Sequence, residues 1–351
     1  MMRVLVVGAG LAGCVAAYEL AENGIRVTML DTATRIGGKV RRYGCKATDK
    51  CNNCGLCLTA GLWDKVEGHH NIDIHLSTKL IDLIQEDGKY IAVLKSLLKA
   101  PTFAAFGTTM AIEGFDKVII STGFKFSSAR DDFQEDSSQG RNQFGVITGS
   151  QIEAVLENRT TSGLFEVPPT SIAFIQCYGS RDCHEHTMYC SRVCCSYATR
   201  TAKVIKYFYP ECRVVFFYME MQTVNRGDYF QSLLDIGIEF IKCRPTDITN
   251  GKPAWVTYDD LSLGKRVREA FDLVVLSEGI KPNPQVRHIS EICGLSQDKA
   301  GFLRYITTDS TAISSDILLI GCAGGPKNIA ETYMESITLA KGILQSREAL
   351  V

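Results

Sequence analysis

The first thirty-one residues constrain the fold more than any other part of the chain. Arg3-Val-Leu-Val-Val7 is a β-branched apolar run suited to a buried strand. Gly8-Ala-Gly10-Leu-Ala-Gly13 follows without a break. Cys14 to Asn23 reads as a helix closed by Gly24, and Ile25 to Leu30 as the next strand, which ends on Asp31. Strand, G-x-G-x-x-G, helix, strand and acid in that order form a dinucleotide-binding fingerprint. Gly8 permits the tight turn, Gly10 lets the backbone approach a pyrophosphate, and Gly13 lets helix and strand pack closely. The helix N-terminus offers amide donors and the positive end of its dipole to phosphates. Asp31 can accept from a ribose hydroxyl. The uncharged stretch Val4 to Tyr18, after Arg3, has the look of a signal-peptide core. It is too short to span a membrane, and the fingerprint explains it better.

The residues beyond Asp31 favour FAD over NAD. Arg35-Ile-Gly37-Gly38-Lys39 adds a second glycine pair after the acid, a pattern of flavoproteins with two dinucleotide domains. Phe115 to Ile120 reads as a buried strand running into Ser121-Thr-Gly123, which resembles the strand-end Thr-Gly of FAD domains. Between these lie strands at Ile72 to Leu76, Lys79 to Gln85 and Tyr90 to Leu94, with an Asp87-Gly88 hairpin turn. Lys125 to Asn142 is a polar surface loop, and Gln151 to Asn158 a short helix. Pro168-Pro169 marks a boundary. A second α/β unit opens at Ser171 to Ile175, but Gln176-Cys177-Tyr-Gly179-Ser180 follows in place of a second fingerprint. A second nucleotide site is therefore not expected. A helix at Arg192 to Tyr209 and strands at Arg213 to Met219, Ile238 to Cys243 and Leu273 to Leu276 complete this unit. Asp316 to Ile320 is a strand entering Gly321-Cys-Ala-Gly-Gly-Pro-Lys-Asn328, with a long helix from Ile329 to about Gln345. The expected domains are an FAD-binding part at 1–165, an inserted Rossmann-like domain at 166–290, and a return segment at 291–351.

Composition sets outer limits. A chain of 351 residues holds about two domains. With 45% hydrophobic and 22% charged residues it is an ordinary globular protein, not a disordered or collagen-like one. Lys plus Arg total 38 against 39 Asp plus Glu, so no basic field invites nucleic acid. The unusual number is 14 cysteines. Cys14, Cys212, Cys243, Cys293 and Cys322 stand in apolar surroundings and read as small buried hydrophobes. The other nine form two groups, Cys45, Cys51, Cys54 and Cys57, then Cys177, Cys183, Cys190, Cys194 and Cys195, and clustered thiols in a large α/β chain point to metal or redox chemistry in a reducing compartment.

In the second group, Cys190 and Cys194 are one helical turn apart and Cys195 follows directly. With Cys177 they make four thiols whose spacing is not the paired C-x-x-C of zinc sites. A four-thiolate iron–sulfur cluster tolerates such spacing, and a helix start favours its negative charge. The first group, Cys45-x5-Cys51-x2-Cys54-x2-Cys57, is ferredoxin-like in spacing, in a segment expected to pass over the FAD domain. Spacing alone leaves metal ligands and free thiols both open there. The rigid supports of the second group favour one cluster per chain.

Gln176-Cys-Tyr-Gly-Ser-Arg-Asp182 with Tyr189-Cys-Ser-Arg-Val-Cys-Cys195, and Gly321 to Ile329, resemble the cluster and flavin-side motifs of the heterodisulfide reductase A-type subunit family, HdrA. The resemblance extends over nearly the whole chain and is nearest to the short HdrA-like subunit of sulfur-oxidising bacteria. It implies an α/β, thioredoxin-reductase-like flavoprotein with two Rossmann-type dinucleotide-binding domains. It implies FAD and one [4Fe–4S] cluster, with Cys177, Cys190, Cys194 and Cys195 as ligands. The candidate cofactor-binding set is Gly8, Gly10, Leu11, Ala12, Gly13, Asp31, Thr32, Gly37, Gly38, Lys39, Leu80, Ser121, Thr122, Gly123, Arg200, Gly321, Cys322, Lys327, Asn328 and Ile329. Lys327 and the amides of Asn328 and Ile329 are expected at the flavin pyrimidine. Arg200, where the family often has Lys, is expected to place a fixed positive charge near the flavin. The implied role is electron transfer within a cytoplasmic heterodisulfide-reductase-like complex of sulfur oxidation. B- and C-type subunits, a lipoate-binding protein and a second copy of the chain are the implied partners, with no nucleic acid and no membrane span. An NAD(P)H-dependent flavin disulfide reductase is the alternative, with Cys51 and Cys54 as its redox pair.

Overall fold

The computed structural model describes residues 2–98, 109–127, 145–157, 164–183, 187–222, 227–305 and 316–348. The chain divides into two compact units. The first comprises Met1–Arg41, Gly55–Lys125 and Pro282–Val351; the second comprises Arg42–Cys54 and Phe126–Lys281.

The first unit is built on a parallel five-stranded sheet. Its order is Ile317–Leu319, Lys117–Ile120, Arg3–Val7, Arg26–Leu30, Ile72–His75. Side chains alternate across a strand, so both faces of the central run need cover. Val4 and Val6 enter one core with the helix Leu11–Glu22, while Leu5 and Val7 enter another with Phe115, Val286 and Ile289. An antiparallel sheet of Thr78–Glu86, Lys89–Ser96 and Thr109–Phe115 closes the second face.

The second unit repeats this plan. Its parallel sheet runs Ile238–Lys242, Arg213–Tyr218, Ser171–Tyr178, Leu273–Glu278, Gly145–Thr148. Ile172 and Phe174 point into one core and Ala173 and Ile175 into the other. A second antiparallel meander, Asp247–Thr249, Ala254–Asp260 and Lys265–Phe271, covers one face.

Several expectations are corrected. The first helix begins at Leu11, not Cys14, so Gly13 lies inside it. The run Phe115 to Ile120 is two strands broken at Asp116, whose carboxylate takes the Arg3 N–H at 2.7 Å and the Lys89 ammonium at 2.9 Å. The short strand Phe124–Phe126 enters the stretch expected as a loop at 125–142, of which residues 128–142 lie outside the described residues. The unit boundaries fall at 125/126 and 281/282 rather than 165/166 and 290/291. Gly145–Thr148 pairs with Leu273–Glu278, and the helix Val286–Cys293 packs in the first unit's core.

The largest correction concerns residues 42–54, expected over the FAD domain and found in the second unit. Three contacts explain this. Gly44 lies so close to the helix Gly149–Glu157 that a Cβ there would sit 2.4 Å from the Leu156 carbonyl carbon. Lys46 forms an ion pair with Glu153 at 2.7 Å, the two side chains 5% and 8% exposed. Burial pushes the Glu153 carboxyl up in pKa against the opposing pull of Lys46. Arg200 donates to the carbonyls of Asn52 at 2.8 Å and Asn53 at 3.0 Å.

Removing one partner of a buried pair leaves an uncompensated charge, which costs about 3–5 kcal/mol. Lys46→Met is expected to destabilise the protein by about that amount. The double variant Lys46→Met/Glu153→Leu is expected to regain most of it. Urea unfolding of the four-member cycle measures both; a single variant as stable as the parent would show that the pair does not anchor the segment.

Candidate functional site

In an open parallel sheet, ligands bind beyond the carboxyl ends of strands where the order reverses. Each sheet has such a place, and the candidate residues gather there.

In the first unit the place lies beyond Arg3–Val7 and Lys117–Ile120. Gly8 has φ +110°, and a Cβ there would lie 2.4 Å from the Ser121 carbonyl oxygen. A Cβ on Gly13 would lie 2.0 Å from the Gly8 carbonyl oxygen. Ser121 ties the turn together, its Oγ donating to the Gly8 carbonyl at 2.7 Å. Asp31 holds the same turn from the other side, accepting from the N–H of Ala9 at 2.7 Å and of Ala33 at 2.8 Å. Gly37 donates to the Ala9 carbonyl at 2.7 Å, and a Cβ on Gly38 would stand 3.1 Å from Gly10 Cα. The two glycine motifs are thus one surface.

That surface has the properties of a cradle. No heavy atom lies within 4 Å of the Cβ positions of Gly10 and Gly123. The helix Leu11–Glu22 starts with no side-chain cap, leaving first-turn amides without intrahelical acceptors. The buried Thr122 hydroxyl has no hydrogen-bond partner among the described residues, while the Thr122 carbonyl is held by Asn283 Nδ2 at 2.7 Å. Asn283 carries no motif and was not foreseen. These features fit a dinucleotide.

The return motif is arranged differently from expectation. Gly321, at φ +67°, approaches the first helix, where its Cβ would be 2.8 Å from Ala12 Cβ. Lys327 turns back, donating to the Gly321 carbonyl at 2.9 Å and pairing with Glu335 at 2.9 Å. The Asn328 amide donates to Glu331 at 3.0 Å, and Glu331 donates its own N–H to Asn328 Oδ1 at 2.9 Å. This reciprocal capping box occupies the Asn328 N–H expected at the pyrimidine; Asn-x-x-Glu was its visible signal. The Ile329 amide, in the first turn of Ile329–Glu348, remains without an intrahelical acceptor. Cys322 is buried and its thiol donates to the Lys327 carbonyl at 3.4 Å. Lys39 donates to the Phe124 carbonyl at 2.7 Å, and burial lowers its pKa. Thr32 is exposed beside Asp31, and Leu80 is buried in the core, its carbonyl paired with His288 at 3.0 Å.

In the second unit the equivalent place lies beyond Ser171–Tyr178 and Leu273–Glu278. This strand carries Cys177 near its end at φ +60°, within a register shift between Ile175 and Tyr178. Cys194 and Cys195 open the uncapped helix Cys194–Phe208. The Cys194 thiol interacts with both Cys177 and Cys195, and Cys190 feels the charges of Cys177 and Cys195. Cys177, Cys194 and Cys195 thus interact directly, and Cys190 lies within range of their charge. Two serines fasten their turns: Ser180 and Ser191 hydrogen-bond, and Ser191 accepts from the Ile280 N–H at 2.8 Å. Arg192, at φ +63°, donates its N–H to Cys190 Sγ at 3.3 Å. Among the described residues no three His, Cys, Asp or Glu side chains gather about a single metal ion. Four thiols are the donor set that a four-thiolate iron–sulfur cluster takes.

The pKa shifts set these thiols apart. Burial pushes Cys14 and Cys293 up to about 12, and Cys212 and Cys243 up to about 11. Cys177, though buried, is drawn down to about 7 by its bond with Cys194, and further by Arg181 and Arg244. Cys194 is correspondingly raised, first by Cys177. Of the first group, Cys45, Cys51 and Cys54 lie in the second unit and Cys57 in the first. Cys45, Cys51 and Cys57 are exposed. Arg200, expected beside the flavin, has its guanidinium on the Asn52 and Asn53 carbonyls between Cys51 and Cys54.

Five buried side-chain N or O atoms among the described residues have no hydrogen-bond partner. Four belong to Thr122, Gln176, Arg181 and Thr187, which flank the two strand ends. Native proteins leave few such atoms, so their placement points to groups that would satisfy them.

Residues 6–57 match the NAD(P)-binding Rossmann-like domain family. The chain is 26% identical to the A-type subunit of the ferredoxin:CoB-CoM heterodisulfide reductase of Methanosarcina mazei, over 98% of this chain and 53% of that protein. It is 26% identical to an A-type iron-sulfur subunit of the CoB–CoM heterodisulfide reductase of Methanopyrus kandleri, over 96% of this chain and 63% of the relative. It thus spans between half and two thirds of these relatives' lengths. Among solved structures, the thioredoxin reductase of T. acidophilum superposes with a TM-score of 0.63 at 16% identity, covering 99% of both chains. That of Lactococcus lactis gives 0.62 at 16% identity, covering 98% of both. No helix among the described residues is long and apolar enough to cross a membrane.

The cradle gives two contrasting expectations. Gly13→Ala meets backbone and is expected to cost about 3 kcal/mol, the upper end of ordinary overpacking. Gly10→Ala has ordinary φ and open space, so its melting temperature without cofactor is expected to match the parent's while bound flavin is lost. Flavin released on denaturation, measured beside apoprotein stability, checks this; full flavin retention in Gly10→Ala would show that the cradle is not the binding surface. Over nearly its whole length the chain is similar to heterodisulfide reductase A-type subunits at 26% identity, and its fold is that of thioredoxin reductase.

Proposed function

We propose that the protein is an FAD- and [4Fe–4S]-containing electron-transfer subunit of a heterodisulfide-reductase-like complex. The observation that carries this reading is the furnishing of two equivalent strand ends. One has glycines, Asp31 and a bare helix start; the other has four interacting thiols where a second glycine turn would be. When bound, FAD takes up or releases one or two electrons and the cluster moves them singly.

The chain's own residues do the rest. Gly8, Gly10, Gly13, Gly37 and Gly38 bring backbone to a pyrophosphate, and Asp31 orients the turn while accepting from a ribose. Cys177, Cys190, Cys194 and Cys195 would hold the cluster, fastened by Ser180 and Ser191. On this reading the partners are B- and C-type subunits, with a lipoate-binding protein and a second copy of the chain. The setting is cytoplasmic sulfur oxidation.

A nicotinamide nucleotide does not suit the second strand end. Gly179, at φ +67°, faces Ser127, where a Cβ would be 2.2 Å from Ser127 Cβ, and Cys177 occupies the turn. The competing NAD(P)H-dependent disulfide reductase is therefore separated by one experiment. Anaerobically reconstituted protein is expected to carry one FAD and about four irons. Cys194→Ala is expected to lose the iron and its paramagnetic signal on reduction while keeping FAD. NADH is expected to leave the flavin band unbleached on the millisecond scale. Flavin without iron, bleached rapidly by NADH, would replace this reading with the reductase.

A further inference from the structure

Arg181 stands apart from the other cations of the second unit. It follows Cys177 and Gly179 in the turn and adopts φ +52°, a conformation that costs a non-glycine residue energy. Neighbours hold it there. Its N–H donates to the Tyr189 carbonyl at 3.1 Å, next to Cys190. Its carbonyl accepts from Arg244 Nη1 at 3.3 Å, and Arg244 is anchored in turn by Asp182. Nη2 of the guanidinium pairs with Glu220 at 3.4 Å. Nη1 is buried and has no acceptor among the described residues.

A buried, unpartnered N–H on a charged group is costly, and an acceptor at that place removes the cost. The thiols supply the direction. Arg181 interacts with Cys177 and carries its charge toward Cys190, which belong to different turns of the quartet. The potential of an iron–sulfur centre is set by net charge and by hydrogen bonds to its sulfurs. A guanidinium that donates there stabilises the more negative, reduced form.

We infer that Arg181 is the residue that tunes the reduction potential of the four-cysteine site, donating through Nη1 to sulfur on its Cys177 side, with Glu220 attenuating its charge. This rests on the cluster reading above. Arg181 is a positioning and tuning residue; Cys177, Cys190, Cys194 and Cys195 remain the ligands.

Redox titration followed by paramagnetic resonance, on reconstituted full-length protein, provides the readout. Arg181→Gln is expected to lower the cluster midpoint at unchanged iron content, and Arg181→Lys, which keeps a charge, to lower it less. Glu220 is an exposed residue whose loss the fold can bear, its side chain 61% exposed. Glu220→Gln is expected to raise the midpoint, and that rise is expected to shrink in the Arg181→Gln background. If Arg181→Gln loses iron, the Glu220→Gln and Arg181→Lys midpoints decide. Parent and variants sharing one midpoint at equal iron content would overturn the inference and leave the cluster reading intact. A parent chain that takes up no iron would overturn the cluster reading itself.

Discussion

The approach of the first helix to the first strand fixes everything around it. With the Gly13 Cβ position 2.0 Å from the Gly8 carbonyl oxygen, no side chain can separate the two elements. The helix therefore begins at the strand's end, and its unsatisfied amides open where backbone alone lines the surface. Asp31, Ser121 and Gly37 then bind the Gly8–Ala9 turn through backbone groups. Each hydrogen bond nets only about 1 kcal/mol. Their value here is geometric, because they hold a glycine-lined surface that has no side chains to stiffen it.

The second unit repeats the architecture while exchanging the chemistry. The same strand order with the same antiparallel cover places Cys177 at the end of the strand that corresponds to the one Gly8 follows. Both residues have positive φ, one permitted by glycine and one imposed on a cysteine. Strain in a non-glycine residue persists only where its surroundings over-determine it. The Ser180–Ser191 bond, the Ser191 contact to Ile280 and the Arg181–Tyr189 backbone bond are those surroundings.

How much of this was legible follows from range. The glycine turns, Asp31 and the flanking strands and helix are contiguous in sequence, and local propensity agrees with the final packing there. The thiol quartet was legible as spacing and motif, and the fold adds that Cys177, Cys194 and Cys195 interact, with Cys190 in range of their charge. What stayed hidden depends on tertiary partners. Lys46 and Glu153 are 107 residues apart, so nothing local showed that residues 42–54 belong to the second unit. Arg200 was expected near the flavin, and its acceptors are carbonyls 147 and 148 residues earlier, which no local pattern shows. The Asp116 break was hidden for the same reason: its partner N–H is on Arg3. The Lys265–Phe271 strand is rich in charge because one face is open, and its pairing with Ala254–Asp260 was missed.

The scattered and clustered cysteines show what burial alone does to a thiol. Cys14 and Cys293 lie in apolar cores, and desolvation drives their pKa to about 12, so both remain neutral and inert. Cys177 is nearly as inaccessible, at 3% exposure, yet its surroundings hold it near 7. Desolvation opposes that result, so the opposing interactions must exceed it. They come from a neighbouring thiol and two guanidiniums, groups brought together from residues 181, 194 and 244. Neither guanidinium is fully buried: the Arg181 side chain is 28% exposed and pairs with Glu220, and that of Arg244 is 43% exposed and pairs with Asp182. Both favour the anionic Cys177 thiolate over the neutral thiol. The charge arrangement of the second strand end is therefore complementary to a negative sulfur-bound group, as the glycine surface of the first is to a phosphate.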